Sequence, residues 1–135
     1  MALLVDTGVI YALADADDAW HARCRDYLAR TRQLLLAPIT VIPEAAYLIR
    51  TRLGARAERA FASSLVKGEI AVEGVTHKDL QRARSLLDQY PDIGLVDASV
   101  VAVAERLRLD AIATTDRRHF AQVRPQHRSA FTLVP

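Results

Sequence analysis

Asp6, Glu44, Asp97 and Asp116 each stand where an apolar, strand-like run ends or a helix begins. Their contexts are Leu3-Leu4-Val5-Asp6-Thr7, Thr40-Val41-Ile42-Pro43-Glu44, Gly94-Leu95-Val96-Asp97-Ala98-Ser99 and Ile112-Ala113-Thr114-Thr115-Asp116. Surface acids seldom keep such company. In an open α/β sheet the functional crevice lies outside the carboxyl ends of the strands, so acids at those ends converge. Two like charges about 4 Å apart repel by about 1 kcal/mol in bulk water and about 4 kcal/mol at an effective dielectric near 20. A cluster of four must therefore take up protons or recruit a cation. Oxygen ligands favour a hard ion, Mg²⁺ or Mn²⁺, which commonly pairs with substrate phosphates. That combination is the chemistry of metal-assisted phosphodiester cleavage.

The elements that must position these acids alternate between two periodicities. Short apolar runs at Ala2–Val5, Leu34–Ala37, Ile70–Val72, Ala111–Ala113 and Phe131–Val134 predict strands, and the segments between them carry helical spacing. Ala19 to Arg32 predicts an amphipathic helix with Asp17 or Asp18 as its N-cap. Thr40 is expected to cap the next helix, with Pro43 in its first turn and Glu44 near its N-terminus, and Gly54 separates it from a helix over Ala55 to Val66. Thr76 to Tyr90 predicts a helix capped by Thr76. Leu95 to Leu107 is the least polar helix and belongs against the sheet, with Asp97 in its first turn. Strands joined by helices imply a parallel sheet with right-handed crossovers.

The 135 residues, 51% hydrophobic, fit one domain, 1-135, around one core. Of the 18 basic residues only Lys67 and Lys78 are lysines; the arginine excess suits bidentate phosphate contacts. Cys24 is the only cysteine, so an internal disulfide is excluded and the reducing cytoplasm is the expected compartment. No basic leader or long apolar stretch is present, which predicts a soluble chain without a membrane contact.

Taken in order, Leu4-Val5-Asp6-Thr7, Pro43-Glu44, Asp97-Ala98-Ser99 and Thr114-Thr115-Asp116-Arg117-Arg118-His119-Phe120 make the chain resemble the PIN-domain ribonucleases, most closely toxins of the VapC type. The resemblance spans essentially the whole chain. It implies a three-layer α/β/α sandwich around a parallel sheet of order 3-2-1-4-5, and Mg²⁺-dependent endoribonuclease activity in which Mn²⁺ may substitute. It assigns the catalytic and metal-binding positions to Asp6, Glu44, Asp97 and Asp116. A cognate antitoxin that blocks the acidic site, an RNA substrate and a homodimer are implied partners. Cleavage is expected to leave a 5′ phosphate and a 3′ hydroxyl. Gly8 departs from the pattern, because a serine is common after the first Asp-Thr.

Thr7, Ser99 and Thr115 flank three of the acids, and a hydroxyl there can orient a carboxylate or a bound water. Helix capping explains the same residue types without any such role. Arg117 and Arg118 follow Asp116 directly and are the candidate RNA-binding residues, although a solvated helix face is the commoner use of such charges. His21, His77, His119 and His127 lack the pairing of a zinc site and are expected in structural or surface roles. Trp20 and Tyr27 suit packing better than base stacking. A phosphoacceptor receiver domain is disfavoured because no lysine lies near the closing strands, an Asp-x-Asp phosphatase because Asp6-Thr7-Gly8 lacks the second acid, and Ser-His-Asp hydrolysis because there is no Gly-x-Ser-x-Gly turn. The remaining alternative is a catalytically silent PIN-like RNA- or protein-interaction module.

Overall fold

Leu3, Leu4 and Val5 are consecutive and all buried, which a strand achieves only when both faces of its sheet are covered. The computed structural model describes residues 1–135 and places them in β1 (Ala2–Val5). After it come α1 (Thr7–Ala14), α2 (His21–Arg30), β2 (Leu34–Pro38), α3 (Val41–Leu53), α4 (Ala55–Val66) and β3 (Ala71–Glu73). The chain continues through α5 (His77–Gln89), α6 (Leu95–Leu107), β4 (Ala111–Ala113), α7 (Arg117–Ala121) and β5 (Thr132–Val134). All strand pairs are parallel, in the order β3-β2-β1-β4-β5. This is the α/β/α sandwich and strand order that the resemblance implies.

Helix α1 packs on α2 and α3, and α3 on α4, while α5 packs on α6. Every residue from Ala98 to Ala104 in α6 is buried, as expected for a helix apolar all round and laid against the sheet. Helix α5 is fastened to it by charge. Arg82 donates from Nε to Glu105 Oε1 at 2.7 Å and from its second nitrogen to Oε2 at 3.1 Å. Arg106 binds both oxygens of Asp79, at 3.1 and 3.0 Å, and reaches Glu73. Asp79 also completes a capping box with Thr76, as the expected cap at Thr76 requires.

Two expected caps are corrected. Helix α2 starts at His21 with Trp20 as N-cap, and Asp18 instead accepts the Trp20 N–H at 2.8 Å in a turn before it. Thr40 occupies the N-cap position of α3 as expected, but its hydroxyl is bonded to Ser99 Oγ at 2.6 Å and makes no capping hydrogen bond, so it pins α3 to α6 instead. Helices α1 and α7 were not anticipated. Both are short, and both are capped by one of the acids: Asp6 for α1, Asp116 for α7.

Candidate metal centre

Strand β1 lies at the centre of the sheet, with β2 and β3 to one side and β4 and β5 to the other. Such a reversal of direction opens a crevice at the carboxyl ends of the two strands that flank it. Val5 pairs with Ala113, so the next residues, Asp6 and Thr114, emerge side by side. The Thr114 hydroxyl donates to Asp6 Oδ2 at 2.9 Å and accepts the Asp116 N–H at 2.9 Å. Asp6 Oδ1 accepts the Thr7 N–H at 2.7 Å. One buried threonine thus ties the first acid to the last across the two central strands.

Asp97 projects from the first turn of α6 and is half-buried. Asp116 accepts the His119 N–H at 3.1 Å, and His119 Nδ1 donates to Asp116 Oδ2 at 2.6 Å. Asp97, Asp116 and His119 each offer a donor atom, all within 4.8 Å of one another. Glu44 stands exposed in the first turn of α3, close enough to act electrostatically on both Asp6 and Asp97.

The electrostatics follow from burial first and from this crowding second. Burial raises the Asp6 carboxyl to about 6, with Glu44 and Asp116 adding to the rise against the opposing hydrogen bonds from Thr114 and Thr7. Burial also raises Asp97 to about 7, reinforced by Asp6, Asp116 and Glu44 and opposed by His119. Burial and like-charged neighbours both disfavour the ionised carboxylates, and a divalent cation among them would offset that cost. Two aspartates and an imidazole within ligand reach of one another, with the Asp6 and Glu44 carboxylates in electrostatic range, fit a hard or borderline divalent ion; the preponderance of oxygen suits Mg²⁺ or Mn²⁺.

Of the anticipated acids, Asp97 and Asp116 come within ligand distance of each other, Asp6 is joined to Asp116 through Thr114, and Glu44 stands outside that group; the flanking hydroxyls do not behave as expected. Ser99 Oγ donates to the Val96 carbonyl at 2.6 Å and so receives the Thr40 hydroxyl; it braces two helices. Thr7 Oγ1 is buried without a partner. Thr115 Oγ1 faces Gly8 and makes no hydrogen bond to an acid, whereas its neighbour Thr114, passed over in the sequence, does. His119, expected in a structural or surface role, is instead a member of the cluster. Its spacing from Asp116 is the i, i+3 relation that brings side chains together on one helical turn. Arg117 and Arg118 are both exposed at the start of α7, beside Asp116.

Residues 3–124 match the PIN domain family. The chain is a PIN domain. Among relatives of this PIN domain, Ribonuclease VapC26 of Mycobacterium tuberculosis is 32% identical over 135 residues, covering 98% of this chain and 100% of that protein. The crystal structure of Mycobacterium tuberculosis VapC20, a toxin that cleaves the sarcin-ricin loop, superposes with a TM-score of 0.81 at 25% identity, over 87% of this chain and 92% of that one. A toxin–antitoxin complex from Klebsiella pneumoniae shares the fold, with a TM-score of 0.74 at 16% identity over 98% of this chain and 96% of that one. These relatives place the PIN domain with the VapC-type toxins. No helix is long and apolar enough to cross a membrane.

Proposed function

We propose that this PIN domain is a Mg²⁺-dependent endoribonuclease and the toxin of a cytoplasmic toxin–antitoxin pair. The observation that carries the reading is the convergence of Asp6, Asp97 and Asp116 at the carboxyl edge of the central strands, with Glu44 in electrostatic reach. Near-full-length similarity to a VapC ribonuclease supports it.

In this reading Asp6, Asp97, Asp116 and Glu44 are the residues that would hold the cation. When bound, the ion would supply the positive charge that lowers the pKa of water and stabilises negative charge on a phosphodiester oxygen. Asp6 is held rigid by Thr7 and Thr114, and Asp116 by His119, so the carboxylates need no reorganisation when substrate arrives. Arg117 and Arg118 supply positive charge where an RNA strand meets the acidic centre.

The proposed partner is a protein antitoxin, in keeping with the toxin–antitoxin complexes that share this fold. An apolar cleft of about 390 Å³ between Ile10, Leu13, Leu28, Phe61 and Ile70 offers such a protein a surface to bury. A homodimer completes the proposed assembly. The test is incubation with ribosomal RNA containing the sarcin-ricin loop, then with total RNA, in Mg²⁺, Mn²⁺ or chelator, followed by end analysis. Metal-dependent products with a 5′ phosphate and a 3′ hydroxyl are expected. Ends carrying a 2′,3′-cyclic phosphate would contradict the mechanism, and RNA bound but intact under every condition would favour the catalytically silent module.

A further inference from the structure

Trp20 is the only tryptophan of the chain and stands at the start of α2 with two guanidinium groups against its ring. The Arg23 Cζ lies 4.3 Å and the Arg117 Cζ 5.7 Å from the ring centroid. Both distances fall within the roughly 6 Å reach of a cation–π interaction. Arg23 belongs to the same helix, so its approach is local. Arg117 comes from α7 at the far end of the sequence and directly follows Asp116.

Trp20 is the fixed member of the three. Its ring packs against the core and its backbone N–H is held by Asp18, whereas Arg23 and Arg117 are exposed. Neither guanidinium is engaged by a carboxylate, in contrast to Arg25, Arg50, Arg82, Arg84, Arg106 and Arg128. A guanidinium stacked on an aromatic face keeps its N–H donors in its own plane, free to grip a phosphate bidentately. Holding the stem in place beforehand reduces the entropy lost when the phosphate binds. The location matters because four carboxylates repel an incoming polyanion, and fixed cations at their margin offset that repulsion.

We propose that Trp20 is a positioning residue that presents Arg23 and Arg117 as a two-guanidinium ledge for the backbone phosphates of single-stranded RNA beside the carboxylate cluster. The proposal rests on the ribonuclease reading above. Arg118 supplies an internal comparison, since it neighbours Arg117 on α7 but stacks on no aromatic ring.

The experiment is fluorescence anisotropy of a labelled single-stranded RNA with the Asp97→Asn protein in chelator, where nothing is cleaved. Adding Trp20→Leu should weaken binding about three- to tenfold, while Trp20→Phe, which keeps an aromatic face, should stay within about twofold. The leucine effect should vanish once Arg23 and Arg117 are both alanine. Arg117→Ala should cost more affinity than Arg118→Ala, a comparison that does not depend on how the Trp20 variants fold. A folded Trp20→Leu protein that binds RNA as tightly as its parent would overturn the ledge, as would an Arg118→Ala loss equal to that of Arg117→Ala. Failure of the Asp97→Asn parent itself to bind any RNA would overturn the ribonuclease reading instead.

Discussion

Thr114 shows how much at this site depends on a single hydroxyl. It donates to Asp6 and accepts from the Asp116 backbone, so Thr114→Val would leave the buried Asp6 Oδ2 and the part-buried Asp116 N–H without these partners. The substitution is expected to cost about 1–3 kcal/mol in denaturant unfolding and about 10- to 100-fold in RNA cleavage. Thr115→Ala, which removes a hydroxyl bonded to no acid, should leave cleavage much closer to the natural protein. Gly8 and Thr115 form a second pair that the sequence shows only as two separate oddities. A Cβ on residue 8 would overlap Thr115 Oγ1 but lie 3.4 Å from Thr115 Cβ, so the hydroxyl is what blocks it. Gly8→Ala should therefore destabilise the protein by about 1–3 kcal/mol, and Thr115→Ala should recover most of that loss. A double-mutant cycle measures the coupling, and additive effects would refute it.

At the scale of elements, the acids are delivered by strand ends and helix starts, and the braces between helices keep those starts in place. Asp79 is the most heavily committed brace, being buried, part of a capping box and gripped through both oxygens by Arg106. Asp79→Ala leaves Arg106 only its Glu73 and Gly74 partners and removes the half of the capping box that holds the Thr76 N–H, and about 1–3 kcal/mol of stability should be lost in thermal or denaturant unfolding. The strands and the longer helices were legible because their periodicities are long or their apolar runs unbroken; α6 was placed against the sheet on composition alone. Helices α1 and α7 were not legible, because eight and five residues give too little periodicity to separate helix from loop. The acids were legible from their apolar neighbours, whereas Thr114 became distinguishable from Thr115 only through the register of β1 with β4. His119 was hidden for the same reason as α7, since its link to Asp116 exists only once that short turn is formed.

For the whole molecule, the fold buries carboxyls at one edge of the sheet and sets further acids beside them. In the unfolded chain Asp6 and Asp97 release their protons near 4; folded, they hold them to about 6 and about 7. Between those limits the folded protein binds more protons, so without metal its stability falls as pH rises from about 4 through 7. The melting temperature of the metal-free protein should therefore drop between pH 5 and pH 8, and saturating Mg²⁺ or Mn²⁺ should restore it, because an ion that binds only the folded state stabilises it by mass action. Asp97→Asn should flatten the pH dependence and weaken the metal response together. The central claim is tested most directly by incubating total RNA with purified natural protein and with Asp97→Asn, in Mg²⁺ and in chelator. Discrete cleavage by the natural protein in Mg²⁺ is expected, abolished by chelator and reduced at least about a hundredfold by the substitution. Equal cleavage by both proteins, or cleavage that persists in chelator, would contradict a metal-dependent reaction at this carboxylate cluster.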